Sequence, residues 1–374
     1  MIYLDSAATS FQKPASVFRA VETAISTMSS LGRGSYPSAM TAADTVFNCR
    51  CAISDMYGLE DPERVVFTMN ATHALNLAIK SLVPPKGKVV ISGWEHNAVT
   101  RPLRALDAEI IVASGNLFDQ ESVLASFRKT IVPGVCAVIC THVSNVFGFI
   151  LPITEIAELC KKAEVPLIID ASQSAGCLPL DIGRLNASFI AFPGHKGMYG
   201  PQGTGVLLCG QERVQPLLEG GTGSLSIQQE MPDFLPDRLE AGTHNVPGIA
   251  GLLAGVNYVR ERGPQKILEH EKQLITLAAE GMQGMKNVKV FFGGLAQSGV
   301  LSFITEGYDA EELAALLAEQ GFALRAGLHC APLAHSSAGT LKSGTIRLSV
   351  SHFSTSVEIL RFLNVMENIL DGIF

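Results

Sequence analysis

Apolar residues recur three and four positions apart over Pro14–Thr27 and Ala39–Tyr57, which predicts two helices. The stretch between them, Leu31-Gly32-Arg33-Gly34-Ser35-Tyr36-Pro37, reads as a loop. From Arg64 the period changes. Arg64–Met69 reads as a short β-branched strand, Asn70-Ala71-Thr72 as a turn and His73–Leu82 as a helix. Gly87–Ser92, Glu109–Ala113, Val135–Thr141 and Val165–Ile169 are apolar runs of strand length, and Pro152–Lys162 has helical periodicity. One more helix-plus-strand unit is expected after Asp170; its strand, Ala187–Phe192, and the next, Gly205–Cys209, flank a loop dense in glycine. Strands alternating with helices predict an α/β protein with a largely parallel sheet covered on both faces.

Around Gly255 the alternation ends. Pro247–Arg260 and Lys266–Met285 read as helices, followed by a smaller α+β segment. Its strands are Val288–Phe291, Val300–Ile304, Phe322–Arg325 and Thr345–Val350. Its helices are Asp309–Gln320, with a capping-box pair at Asp309 and Glu312 and a stop at Gly321, and Thr355–Ile369. A boundary near Gly255 divides the chain into a large unit, 14–255, and a smaller one, 1–13 with 256–374.

Composition narrows the class. The chain has 374 residues, 47% hydrophobic and 17% charged, which describes a globular protein long enough for two cores. With a net charge of −7 and no basic run, nucleic acid and acidic membrane surfaces are not expected partners. Met1-Ile2-Tyr3-Leu4-Asp5 lacks a basic segment followed by an apolar stretch, so no secretory signal is expected, and no apolar run has the ~18 residues of a membrane span. Seven of the eight cysteines lie in apolar or helical contexts, and Cys49-Arg50-Cys51 has no second pair at zinc spacing. A reducing, cytoplasmic compartment and no metal follow as expectations. Cys330, in a loop rich in glycine, alanine and proline, stands apart.

In sheets of this kind ligands bind at the carboxyl ends of strands. Thr72 follows the first strand: as a plain reading it is an N-cap, and with Ala71 at a helix N-terminus it suits a phosphate. Glu95-His96 follows the second, and a lone loop histidine carries little by itself. His142-Val143-Ser144-Asn145 follows the next. Asp170 ends a wholly apolar strand, where its carboxylate needs a cationic partner such as a protonated pyridine nitrogen. Lys196 lies 26 residues further on, in Gly194-His195-Lys196-Gly197. Alone it reads as a solvated loop lysine; with a carbonyl cofactor it reads as a Schiff-base lysine. Arg347 reads by spacing as a surface arginine ending a strand, and Cys330 as a structural thiol.

Taken in order, Asn70-Ala71-Thr72, Glu95-His96, Thr141–Asn145, Asp170-Ala171-Ser172-Gln173, Gly194-His195-Lys196, Glu240-Ala241-Gly242-Thr243 and Arg325-Ala326-Gly327-Leu328-His329-Cys330-Ala331 resemble the class V aminotransferase family of pyridoxal-phosphate enzymes. Within it the chain is similar to cysteine desulfurases and selenocysteine lyases, from Tyr3-Leu4-Asp5-Ser6-Ala7-Ala8 to the last helix. The resemblance implies fold type I: a mostly parallel seven-stranded sheet, a smaller α+β C-terminal domain, and a homodimer with its active site at the subunit interface. It implies Lys196 as the Schiff-base lysine, Asp170 on the pyridinium nitrogen, Gln173 on the phenolic oxygen and His96 stacked on the ring as a proton shuttle. Thr72, the backbone of Ala71 and His195 match the phosphate cradle, with Thr243 reaching in from the partner subunit. Asn145 and Arg347 match the groups that hold the substrate carboxylate, which a guanidinium can pair bidentately. Arg325 is a further candidate there. Cys330 matches the cysteine that takes sulfur from the substrate.

The short loop between Arg325 and Arg347 resembles the second desulfurase group, whose sulfur passes to a dedicated acceptor protein. The implied reaction is L-cysteine to L-alanine with a persulfide on Cys330. Selenocysteine lyase, cysteine sulfinate lyase, or a pyridoxal-phosphate protein with little lyase activity are the alternatives. Three departures stand out: Pro193 where the family commonly has a phosphate-binding hydroxyl, Tyr36 where relatives often have histidine, and a short Gly223–Leu239 segment.

Overall fold

The computed structural model describes all residues except Gly32, Arg33, Glu212 and Phe374. Of the loop expected over 31–37, Gly32 and Arg33 therefore lie outside the described residues. In chain order the first elements are β1 (Ile2–Tyr3), α1 (Ala15–Thr27), α2 (Pro37–Tyr57), β2 (Val65–Thr68), α3 (Ala71–Leu82), β3 (Lys88–Ser92), α4 (Asn97–Ala105), β4 (Glu109–Ala113), α5 (Gln120–Thr130), β5 (Val135–Thr141), α6 (Ile153–Lys162), β6 (Leu167–Asp170), β7 (Phe189–Pro193) and β8 (Gly205–Cys209). There follow α7 (Val246–Arg262), α8 (Pro264–Gln283), β9 (Val288–Phe291), β10 (Val300–Thr305), α9 (Ala310–Glu319), β11 (Phe322–Ala323), β12 (Arg325–Gly327), α10 (Pro332–Ala338), β13 (Thr345–Ser349) and α11 (Ser356–Leu370).

Among the described residues the central sheet has seven strands in the order β2-β8-β7-β6-β5-β3-β4. The core strands run parallel, and β8 is antiparallel to both β7 and β2. Alternation along the strands sorts their side chains into two cores. Val90, Val138, Ile169, Ile190 and Leu208 face one, while Val89, Ile139, Ile168, Ala191 and Leu207 face the other. Both faces are thus dry, as unbroken apolar strands require. A third core, containing Leu301, Phe303, Ile346, Leu348 and Phe362, lies under the four-stranded sheet β12-β13-β10-β9.

The N-terminal segment ties these parts together. Strand β1 pairs in parallel with β11, Asp5 bridges to Ser349, and Ser10 donates from its backbone to the carbonyl of His195 at 3.0 Å.

Four local expectations need correction. Residues 171–188, expected to include a helix, form a chain of turns. Asn70, not Thr72, caps α3: its Oδ1 accepts from the backbone of His73, which frees Thr72 for the first helical turn. The capping box falls on Thr355 and Glu358, while Asp309 accepts from the backbone of Glu311. Phe322–Arg325 is not one strand, for β11 and β12 belong to different sheets. Three short helices lie outside the expected ones: α4, capped by His96, α5, capped by Asp119, and α10, which opens on Pro332 without a side-chain cap.

Candidate active site

A cleft of about 530 Å³, including its open mouth, lies at the carboxyl ends of the parallel strands. The structure brings eight of the candidates into it: Ala71, Thr72, His96, Asn145, Asp170, Gln173, His195 and Lys196. They come from four strand ends and the α3 terminus, so the sheet itself sets their spacing.

Asp170 is the last residue of β6 and is buried; its Oδ1 accepts from the backbone of Ser172 at 2.9 Å. Lys196 lies in the loop after β7. Burial chiefly pushes its amine down to about 8, with the carboxylates of Asp170 and Asp5 opposing and the guanidinium groups of Arg347 and Arg325 adding to the shift. A lysine held so readily in its neutral form is a competent nucleophile toward a carbonyl carbon.

His96 caps α4: its Nδ1 accepts from the backbone of Ala98 at 3.0 Å. That bond leaves the proton on Nε2. Burial, more than the nearby cations, lowers its pKa, with Asp170 opposing. An uncharged imidazole is the form that lies flat against an aromatic ring without a charge penalty. Behind it, Glu95 is wholly buried, accepts from the Thr141 backbone at 2.7 Å and bonds the Ser92 hydroxyl, and burial pushes it up to about 8.

The α3 N-terminus faces the cleft with Asn70, Ala71 and Thr72, and the first-turn N–H groups of a helix have no intrahelical acceptor. Strand β8 passes so close that a Cβ on Gly205 would stand 2.5 Å from the carbonyl carbon of Asn70. Glycine is therefore required at this position. His195 joins this group; its Nδ1 lies 3.0 Å from the Thr9 hydroxyl, and burial lowers its pKa to about 4. Pro193 ends β7 within the same cleft and offers neither a hydroxyl nor an N–H. Free amine, opposed carboxylate, uncharged imidazole and helix N-terminus together suit pyridoxal phosphate: aldehyde, ring nitrogen, ring face and phosphate each find a matching group.

Arg347 is not a surface residue. It is buried on β13, donates from Nη1 to the Asn145 carbonyl at 3.0 Å, and pairs through Nη2 with Asp5 at 2.6 Å. Its Nε has no partner. Arg325 stands opposite it across the β12–β13 ladder. Two like charges in directly paired positions repel, so this corner favours an anion. Asp5, missed as a functional residue, was visible only as part of Tyr3-Leu4-Asp5; its role needs the pairing of the N-terminus with the small sheet.

Cys330 is the exposed thiol among eight free cysteines; five are buried and two half-buried. It and His329 both have left-handed backbones, φ 56° and 48°. Such torsions are rare outside glycine and need external support. The support is visible: the Cys330 carbonyl accepts from the Asn97 backbone at 2.8 Å, the Asn145 amide donates to the His329 carbonyl at 2.8 Å, and Ser337 donates to the Gly93 carbonyl at 2.7 Å. The loop is thereby held beside His96 and Asn145.

Thr243 does not join the cleft of its own chain. It is exposed and lines a separate hollow with Glu240, His244 and Met69. That loop is anchored by Glu240, buried and paired with Arg50 at 2.6 Å and with His244 at 3.0 Å, while also accepting from the Phe67 backbone. Gly223–Leu239 carries neither helix nor strand, and Tyr36 caps α2 at an exposed position.

The chain matches the Aminotransferase class-V family model over residues 2–362 and belongs to that family. The class V aminotransferases are pyridoxal-phosphate enzymes. Among the curated relatives it is similar to proteins named "Probable cysteine desulfurase" from Mycolicibacterium paratuberculosis, 29% identical over 100% of this chain and 56% of that one, and from Methanothermobacter thermautotrophicus, 30% identical over 98% and 94%. Of solved structures, it resembles the apo cysteine desulfurase of Thermococcus onnurineus NA1, with a TM-score of 0.91, 30% identity, and 99% and 95% of the two chains covered. Among the described residues no helix is long and apolar enough to cross a membrane.

Proposed function

We propose that this protein is a pyridoxal-phosphate-dependent cysteine desulfurase that converts L-cysteine to L-alanine and carries the sulfur on Cys330 as a persulfide. The observation that carries the reading is the Lys196–Asp170 cleft with the exposed Cys330 held beside it; the named relatives support it. When bound, the cofactor supplies an electron sink for the pair left at the substrate Cα. Lys196 would bond its aldehyde carbon and, as a free amine, would take the substrate Cα proton. Asp170 would keep the ring nitrogen protonated, Gln173 would serve the phenolic oxygen, and His96 would cover the ring and move protons. Ala71, Thr72 and His195 would hold the phosphate, with Thr243 contributed across a homodimer. Asn145, Arg325 and Arg347 hold the substrate carboxylate. The Cys330 thiolate attacks the substrate sulfur; the carbon–sulfur bond breaks as the sulfur–sulfur bond forms, and the remaining three-carbon fragment is protonated to alanine.

The same reading places the protein in the cytoplasm, gives it a sulfur-acceptor protein as partner, and assigns the cofactor to a large unit, 14–255, with 1–13 and 256–374 forming the small one. The test is mass spectrometry after anaerobic incubation with L-cysteine, with alanine measured alongside. One added sulfur on Cys330 is expected. Alanine formed over an unmodified Cys330 would instead favour selenocysteine or cysteine sulfinate as substrate. No alanine despite bound cofactor would favour a protein with little lyase activity.

A further inference from the structure

A second cavity, about 490 Å³ including its mouth, shares Lys196, Ser172 and Gln173 with the cofactor cleft and extends to Glu271 on α8. Glu271 is only 9% exposed, and no hydrogen bond or ion pair reaches its carboxyl among the described residues. Ser298 Oγ, in the same cavity, is buried and also without a partner. Gly299 makes room for the acid: a Cβ there would stand 2.6 Å from Oε2. Two unsatisfied polar groups in a roomy polar cavity are the conditions under which water is held inside a protein.

We propose that Glu271 is a proton store for Lys196, reached through water anchored by Ser298. Glu271 holds a proton at rest. In cofactor-stripped protein, where the Lys196 amine is free and no substrate is bound, the proton crosses the cavity, turning carboxyl and amine into carboxylate and ammonium; it returns when the amine loses its charge to bond the cofactor. The idea rests on reading Lys196 as the residue that bonds the cofactor. Glu271 acts through Lys196, not on the substrate. Energetics agree with the geometry. Burial alone lifts Glu271 to about 8, and burial chiefly lowers Lys196 to about 8, so transfer between them is nearly balanced. Of the other titratable groups facing the cavity, Cys177 and Tyr199 are pushed well above their ordinary values, first by burial and then by Glu271 itself, and stay neutral. Beside Glu271 on α8, Lys272 donates to the Leu295 carbonyl and His270 bonds the Ser354 carbonyl. Asp170, Asp5, Arg347 and Arg325 act on Lys196.

The test compares wild type, Glu271→Gln and Ser298→Ala as full chains, in two measurements. The first is the unfolding midpoint from about pH 5 to about pH 9. A carboxyl whose folded pKa is raised binds a proton that the unfolded chain has lost. Wild-type stability therefore declines as pH rises from the ordinary carboxylate range to about 8, and Glu271→Gln removes up to about tenfold in folding constant per pH unit of that decline. The second is the rate at which cofactor-stripped protein takes up pyridoxal phosphate, which follows the uncharged Lys196 amine. Glu271→Gln deletes the anion that stabilises the ammonium and lowers the pH midpoint by about half a unit; Ser298→Ala moves it the same way by less. Equal stability slopes in wild type and Glu271→Gln overturn the proposal. So does an unchanged uptake midpoint, which would leave Glu271 purely structural. If Glu271→Gln does not fold, the midpoint of Ser298→Ala decides on the same terms. Failure of wild type to take up the cofactor would instead sink the reading of Lys196, while the stability slopes still report on Glu271.

Discussion

The Lys196 cleft and the Cys330 loop solve opposite problems. Lys196 is placed by strand ends and a sheet covered on both faces, and burial strips its amine of charge. Cys330 is left in solvent on a left-handed backbone, and hydrogen bonds to neighbouring loops hold its chain in place. A group that bonds a cofactor gains from desolvation, which favours the uncharged amine. One that must surrender sulfur to another molecule needs access. The difference teaches that this chain uses burial to tune reactivity and exposure to permit transfer, and assigns them to different sheets.

The sharpest way to break this division is to remove each side separately. Lys196→Ala should lower alanine production by about 10³-fold or more, the scale of losing a general base together with its covalent role, and abolish the cofactor's bonded absorbance. Cys330→Ala should keep that absorbance and lose the persulfide in mass spectrometry. If Cys330→Ala retained full activity with L-cysteine, the transfer role of the exposed side would be wrong. Next in size is the corner between the two sides. Arg347→Ala removes a buried guanidinium and leaves half-buried Asp5 without its partner, a loss of at most about 2–5 kcal/mol, the scale for a truncated buried pair. The expected outcome is a rise in KM of about 10²-fold, with a small change in cofactor affinity; equal effects on both would show that Arg347 is a structural strut.

A smaller effect separates the sides by pH. Lys196 titrates near 8, so the rate of cofactor uptake by stripped protein should fall about tenfold per unit below that pH, where the amine is protonated. A rate flat from pH 6 to 8 would mean that burial does not tune the lysine. The smallest concerns Pro193. Pro193→Ser restores a hydroxyl beside the phosphate group of residues, and one hydrogen bond of about 0.5–1.5 kcal/mol should tighten pyridoxal phosphate by about threefold to tenfold, read from its dissociation constant. Weaker binding would show that the rigid proline is itself an adaptation of β7.

Much of this was legible in the chain. Unbroken apolar runs such as Val135–Thr141 identified buried parallel strands, and the residues following them supplied the cleft, because strand ends in such sheets are where side chains converge. The ordered motifs then placed Lys196, Asp170, Gln173 and His96. What escaped were features set by partners distant in sequence. Spacing made Arg347 a surface residue, yet it is buried against Asp5, 342 positions away. Nearer at hand, the plain reading of Thr72 as a cap fails because two neighbouring candidates compete and Asn70 accepts from the backbone of His73. Glu271 carries no local signal on α8, and only the packing of α8 against Gly299 shows it buried.

Local pattern thus determined the class of fold, the strands and the kinds of chemistry at their ends, since periodicity and strand-end position are properties of short stretches. Tertiary structure alone decided which charges are paired, which cysteine meets solvent and which acids keep their protons. Burial, and with it the energy of each ionised group, depends on what the rest of the chain brings alongside.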